Sequence, residues 1–276
     1  MVCMGSDPAS MLLVGESLNA CSPRVSQAIA DRDAPFIQAL AERQLALGAD
    51  TLDVNAATGT GDEAQDLTWV VQTVQAAVHL PLMLDSADPH ALRAALAVHE
   101  GKAMVNSVNG TQSKLASVVP LLQEYGCGVV ALSIGEDGIP CSANERQKVA
   151  ERIIAYLIKA DIPFPNIYLD PLIFAISTDT SAGNMALRTL SGFKAAFPKV
   201  KTIVGLSNIS FGLPMRRLLN RTFLSLLLDR GLDACIADVL DPAIRATALA
   251  TEVLVGRDQY CATFTRAYRS GMFKGA

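Results

Sequence analysis

Eight short apolar runs, each followed by a longer amphipathic stretch, constrain this chain more than any other feature of its sequence. The runs cover residues 11–15, 51–55, 82–85, 103–106, 128–133, 167–170, 202–206 and 234–237. They are continuous more than alternating, as strands buried on both faces are. Helical periodicity fills the intervals at 34–47, 64–78, 89–98, 112–125, 144–160, 185–196, 214–229 and 242–255. The punctuation agrees. Asp88 and Pro89 suit an N-cap and a first helical position, while Gly48 and Gly126 stand where helices stop. A helix between successive strands makes their pairing parallel. Repeated eight times over about 250 residues, this order predicts a single-domain (β/α)8 barrel of the α/β class. Its core is expected at about 11–256, with a polar tail, 257–276, whose Tyr260, Phe264 and Tyr268 pack on the outside. A doubly wound open sheet is the rival, but no Gly-x-Gly-x-x-Gly follows the first run. With 50% hydrophobic and 18% charged residues, the chain can fill such a core and does not read as disordered.

The polar residues fall at the ends of the apolar runs. In chain order these ends carry Glu16 and Asn19, Asp53 and Asn55, Asp85, Asn106, Ser133, Asp170, Ser207 and Asn208, and Asp238. In a parallel barrel all C-terminal strand ends meet on one face, where the loops that carry chemistry cluster. Any one of these residues could be an ordinary turn former or helix cap. Eight strand ends of one character point instead to a ligand site.

The chemistry of that ring narrows the ligand. Carboxylates and carboxamides dominate it, and it holds no Lys, His or Cys. Such groups suit a flat heterocycle rich in N–H donors, because a carboxylate can accept two parallel bonds from an amino-pyrimidinone edge. A phosphate would find neither positive charge nor a glycine nest. Gly59-Thr60-Gly61 follows the second run and reads as a mobile lid. A divalent metal is expected to be absent, since the acidic groups come from strands spread around the ring.

Other classes are excluded on similar grounds. His79, His90 and His99 belong to helices or their ends, so they read as surface or packing residues. The six cysteines form no Cys-x-x-Cys pair and read as reduced thiols packed as small hydrophobes, implying a cytoplasmic setting. Met1 to Ser10 has no basic flank, and no apolar run approaches membrane length. Net charge −4 without a Lys/Arg run argues against nucleic acid.

Taken in order, the motifs carry a resemblance. They are Gly15-Glu16-Ser17-Leu18-Asn19, Leu52-Asp53-Val54-Asn55, Leu84-Asp85-Ser86, Val105-Asn106-Ser107, Leu169-Asp170-Pro171-Leu172, Gly205-Leu206-Ser207-Asn208-Ile209-Ser210 and Leu219-Asn220-Arg221-Thr222-Phe223. As a set, over about residues 11–265, the chain resembles the pterin-binding methyltransferases that exchange a methyl group between tetrahydrofolate and a corrinoid protein. The folate module of cobalamin-dependent methionine synthase is a more distant likeness. The resemblance implies that Asp85, Asn106 and Asp170 bind the pterin edge and that Asn208 hydrogen-bonds N5, which carries or receives the methyl. Glu16, Asn19, Asp53, Asn55, Ser207 and Asp238 complete the expected folate-binding set, with Arg216 facing the folate's anionic glutamate tail. It further implies a homodimer and a separate corrinoid protein docking at the barrel mouth, since the chain lacks an Asp-x-His-x-x-Gly cobalt-ligating motif. Ser17 stands in the family's arginine place, removing a salt bridge expected at the first strand. Phe211 replaces a glutamine of some acetogenic members and suggests the demethylating branch, with the methyl moving from corrinoid to tetrahydrofolate.

Two alternatives remain at this point. Dihydropteroate synthase resembles the same ring, but it needs a Lys near the end of the seventh strand and an Arg near the eighth. Here those places read Gly205-Leu206-Ser207-Asn208 and Ala237-Asp238-Val239-Leu240. A folate-binding or corrinoid-docking protein without catalysis has the same sequence signature.

Overall fold

Parallel pairing closes eight strands into a barrel in chain order. They are β1 (Leu12–Asn19), β2 (Thr51–Asn55), β3 (Leu82–Asp85), β4 (Met104–Asn109), β5 (Gly128–Leu132), β6 (Ile167–Asp170), β7 (Lys201–Gly205) and β8 (Ala234–Ala237), and β8 returns to β1. The computed structural model describes residues 10–59 and 61–273. Outside the strands lie α1 (Pro23–Ala30), α2 (Ala34–Ala46), α3 (Glu63–Gln75), α4 (Pro89–Val98), α5 (Gln112–Tyr125), α6 (Ala143–Lys159), α7 (Ala182–Ala196), α8 (Arg216–Asp229), α9 (Pro242–Leu254) and α10 (Ala262–Arg269). The helices begin where local chemistry satisfies their first amides: Asp33, Asp62, Asp88 and Asp241 accept from backbone N–H groups, and Ser142 with Glu145 forms a capping box at α6.

Strand alternation divides the interior in two. Outward residues such as Leu13, Leu52, Leu84, Val105 and Leu169 pack under the helices in the large core. Inward residues Val14, Met83, Val130, Tyr168, Ile203 and Ala234 fill the lumen as a separate cluster. With a period of two residues, the next inward positions on β1, β3 and β6 are acidic, Glu16 after Val14, Asp85 after Met83 and Asp170 after Tyr168, whereas β5 and β8 continue with Leu132 and Ile236. The lumen is therefore apolar in its middle and acidic at its mouth.

A bulge in β1 aims the first acid. Gly15 pairs with Leu52 and Leu18 with Val54, so Glu16 and Ser17 together oppose Asp53. Buried Gln44 of α2 holds the bulge by accepting the Ser17 amide at 3.1 Å. Glycine at position 15 makes this contact possible, because a Cβ there would lie 2.4 Å from Gln44 Oε1. Gly15→Ala is expected to destabilise the protein by about 1–3 kcal/mol through this overpacking. Urea unfolding measures it, and an unchanged midpoint would contradict the packing argument.

Several expectations need correction. The first strand runs to Asn19 rather than residue 15, because the bulge lets pairing resume beyond Glu16. Helix α1 was not expected; its signal is Ser22 and Pro23 before a turn that buries Val25, Ala28 and Ile29. The tail beyond Arg257 forms helix α10 after Asp258 accepts the amides of Thr263 and Phe264. Phe264 packs against Phe273 with ring centroids 4.9 Å apart, but Tyr260 and Tyr268 stand in solvent. Cys127 and Cys235 are buried, whereas Cys21, Cys141 and Cys261 lie at the surface rather than packing as small hydrophobes. Cys3 and the rest of Met1–Ala9, like Thr60 of the expected lid, lie outside the described residues. Among the described residues no helix is long and apolar enough to cross a membrane.

Candidate active site

The mouth formed by the strand ends gathers the predicted residues into two neighbouring groups. The first comes from β2, β3, β4 and β6. Asp53 is buried and accepts from Asn106 Nδ2 at 3.2 Å. Asn55 Nδ2 donates to Asp85 twice, to Oδ2 at 3.1 Å and to the carbonyl at 3.2 Å. Asp170 Oδ1 accepts the Leu172 amide at 2.7 Å, while Ser133 Oγ donates to the Asp170 carbonyl at 2.8 Å. None of these carboxylates is in an ion pair among the described residues.

Burial without an ion-pair partner raises their proton affinity. Asp53 is held well above the usual carboxylate range, by burial first and then by the neighbouring Asp85 charge. Burial also raises Asp85, against the Asn55 hydrogen bond that lowers it. Asp170 is pushed up to about 6 by burial, with the Leu172 amide and Arg146 pulling the other way. A ligand that brings N–H donors would satisfy these oxygens.

The second group lies across β1, β7 and β8. Glu16 Oε1 accepts from Ser207 Oγ at 2.6 Å, and burial raises its proton affinity while this bond opposes the rise. Arg216 Nη2 donates to the Ser207 carbonyl at 2.9 Å and Nε donates to Ser210 Oγ at 3.2 Å. A cavity of about 440 Å³ opens here, lined among others by Glu16, Ser17, Asn19, Ser207, Arg217 and Asp238. Asn208, on the 3-10 turn Leu206–Ser210, is exposed, and its side chain makes no hydrogen bond among the described residues. A larger cavity of about 600 Å³ lies at the opposite end of the barrel, between Leu12, Met104, Lys102 and Lys201, and includes none of the ring carboxylates.

The turn-forming role weighed for these residues is real and coexists with the site. Asn19, Asn55, Asp170 and Asp238 each accept the amide two residues on. In Asn19, Asn55 and Asp238, as in Asp170, one oxygen is thereby fixed to backbone, which orients the remaining polar atom. His99 does pack: its Nε2 accepts the Leu82 amide at 3.2 Å, and burial lowers its proton affinity. His79 and His90 are at the surface. Among the described residues no group of three or more His, Cys, Asp or Glu could hold a metal ion.

Sequence reasoning missed Arg146. It is buried on α6 and donates from Nη1 to the carbonyls of Pro171 at 2.8 Å and Leu172 at 3.0 Å, bracing the loop that follows Asp170. Nothing in its local sequence distinguishes it from a solvated helix arginine. Gln44 was missed for the same reason.

These acid and amide groups at a barrel mouth are the setting in which the comparisons with known proteins are decisive. Residues 15–238 match the family described as pterin binding enzymes. The chain belongs to that family. This pterin binding enzyme is 32% identical over 263 residues to the methylcorrinoid:tetrahydrofolate methyltransferase of Eubacterium limosum, covering 95% of this chain and 97% of that one. It is 32% identical over 241 residues to the methionine synthase of Mycobacterium tuberculosis, of which it spans only 20%. Among solved structures, dihydropteroate synthase from Xanthomonas albilineans, in complex with 7,8-dihydropteroate, superposes with TM-score 0.66 at 21% identity, over 89% of this chain and 93% of that one. The Yersinia pestis dihydropteroate synthase with a pterine-sulfa conjugate gives TM-score 0.67 at 15% identity, over 90% and 95% of the chains. At those identities the likeness concerns the barrel fold.

The raised Asp170 makes a testable statement about stability. Its folded pKa, about 6, lies above the ordinary 3.8, so between these values the folded chain holds more protons than the unfolded one. This group's contribution therefore falls as pH rises through that window and is least favourable at neutral pH. Asp170→Asn, which keeps an oxygen for the Leu172 amide, is expected to stabilise the ligand-free protein by about 1–3 kcal/mol near pH 7.5. The gain should shrink towards about pH 5. Equal melting shifts at the two pH values would rule out the buried charge as their source.

Proposed function

We propose that this pterin binding enzyme is a methyltransferase that moves a methyl group from the cobalt of a corrinoid protein to N5 of tetrahydrofolate. The observation that carries the reading is the collar of Asp85, Asn106 and Asp170, whose carboxylates make no ion pair among the described residues, on the same barrel mouth as an unengaged Asn208 carboxamide. The end-to-end likeness to the methylcorrinoid:tetrahydrofolate methyltransferase supports the choice of reaction and its direction.

The donor set fits a folate. Asp85 and Asp170 present acceptor oxygens to the N–H groups of the amino-pyrimidinone edge, and Asn106 can both donate and accept. Asp53, Asn55, Ser207, Glu16, Asn19 and Asp238 frame the same mouth. The acceptors must be ionised to take charge-assisted bonds, so affinity should fall below about pH 6, where Asp170 takes a proton. Asn208 lies at the rim, where N5 would face the docked partner. Its Oδ1 can accept from N5–H as the nitrogen attacks the methyl carbon and gains positive charge, and the proton then leaves to water. In the reverse direction the same amide can present Nδ2 to N5. The corrinoid supplies the methyl group and keeps the electron pair of the broken cobalt–carbon bond. This chain binds, orients and polarises the folate.

The partner would be a corrinoid protein docking over the mouth. Cytoplasmic location and a homodimer belong to the same reading, and sedimentation tests the latter. The deciding experiment mixes the protein with tetrahydrofolate and methylcobalamin and follows the visible spectrum of cobalt. Demethylation dependent on both protein and tetrahydrofolate is the expected result. Tight folate binding without demethylation, even with a corrinoid protein supplied, would favour a binding protein. Condensation of a pterin pyrophosphate with an aromatic amine would favour the synthase reading, against which the absence of a Lys at the end of β7 argues.

A further inference from the structure

The carboxamide of Asn208 has no hydrogen-bond partner among the described residues, yet the backbone that carries it is held from two sides. On the lumen side, Ser207 Oγ donates to Glu16 Oε1 at 2.6 Å. On the outer side, the Arg216 guanidinium spans the turn, from the Ser207 carbonyl at 2.9 Å to Ser210 Oγ at 3.2 Å. Asn208 lies between these anchored residues, and its own carbonyl closes the turn by accepting the Phe211 amide at 3.2 Å. Beneath it, a Cβ on Gly205 would come within 3.2 Å of Asn208 Nδ2, so glycine there leaves the amide its space.

Arg216 lines the mouth cavity and its Nη1 makes no hydrogen bond among the described residues, so it is divided between the turn and the mouth. Two of its nitrogens donate to the turn, and its guanidinium carbon sits 5.9 Å from the Phe211 ring centroid. Arg217, on the wall of the same cavity, makes no hydrogen bond or ion pair among the described residues and remains available to an anionic tail. Glu16 similarly directs one oxygen at Ser207.

We propose that Glu16 and Arg216 form a two-sided clamp on the Leu206–Ser210 turn that aims Asn208, and that they are positioning residues rather than folate ligands. The inference rests on the reading of Asn208 as the N5 partner. A carboxamide works on a developing charge only if its direction is set beforehand, and errors of about 1 Å can cost two orders of magnitude in rate.

A double-mutant cycle on the full chain tests it, with Asn208→Ala, Arg216→Met and the combination. Tetrahydrofolate affinity is measured by calorimetry, and single-turnover methyl transfer is measured from methylcobalamin. Arg216→Met is expected to leave the affinity for mono- and polyglutamyl tetrahydrofolate within about threefold and to slow transfer about 10- to 100-fold. In the Asn208→Ala background it should slow transfer less than about twofold, because no amide remains to be aimed. Glu16→Ala should behave like Arg216→Met, and Glu16→Gln, which keeps an acceptor for Ser207, should recover most of the lost rate. Additive slowing overturns the clamp, as does an affinity loss that grows with glutamate number. If Asn208→Ala alone leaves transfer unchanged, the N5 role fails and the clamp with it. If Asn208→Ala is slow but the cycle is additive, only the clamp fails. Should Arg216→Met fail to fold, the two Glu16 variants give the same comparison.

Discussion

Asn208→Ala is expected to slow methyl transfer by two to three orders of magnitude while leaving tetrahydrofolate affinity nearly intact. In the proposed reading the ground state would owe little to this side chain, which is exposed whereas Asp85, Asn106 and Asp170 are half-buried. In the proposed reaction the transition state would depend on it, because N5 changes charge as its bond to the methyl forms or breaks. A hydrogen bond preorganised towards such a centre is worth about 2.7–4 kcal/mol, which sets the expected loss. Calorimetry for binding and single-turnover spectroscopy of cobalt for transfer separate the two effects. Unchanged transfer would remove Asn208 from the mechanism, and loss of binding would make it a ligand residue only.

The second large effect is expected from Asp85→Ala, which should weaken tetrahydrofolate binding by at least about 100-fold. Two charge-assisted hydrogen bonds from the pterin edge, each worth about 1.5–3 kcal/mol, would be lost together. Among the described residues the carboxylate accepts a hydrogen bond only from Asn55, which also donates to the Asp85 carbonyl, so the backbone contact survives the substitution. Burial raises the proton affinity of Asp85, and removing it should not destabilise the free protein. Equilibrium binding with a melting curve as control is the measurement. Retained affinity with intact folding would place the pterin elsewhere than on this collar.

The two substitutions separate the tasks of the mouth. In the proposed reading Asp85 belongs to the half-buried ring that would hold the heterocycle, and Asn208 to an exposed turn that would meet both the folate and the incoming partner. Exposed Phe211, Met215 and Leu218 stand near that turn.

The barrel was legible from the sequence because its cause is periodic and local. Continuous apolar runs demand cover on both faces, intervening helices impose parallel pairing, and eight repeats of that unit close into a ring. The acids and amides at the strand ends were legible too, since the two-residue alternation that sends Val14, Met83 and Tyr168 into the lumen also sends Glu16, Asp85 and Asp170 there. Tertiary structure alone decided how those groups meet. The bulge at Glu16 depends on Gln44 from a helix 27 residues away in sequence from Ser17, and the loop after Asp170 depends on Arg146, which reads as a solvated helix residue until the fold buries it. Arg216 stands out in the sequence as a cation for the folate tail, and only the fold shows that, while lining the mouth, it also donates to the turn that carries Asn208. Local pattern determines which way a side chain leaves its backbone; which partner it reaches is set by distant segments that only folding brings within hydrogen-bond range.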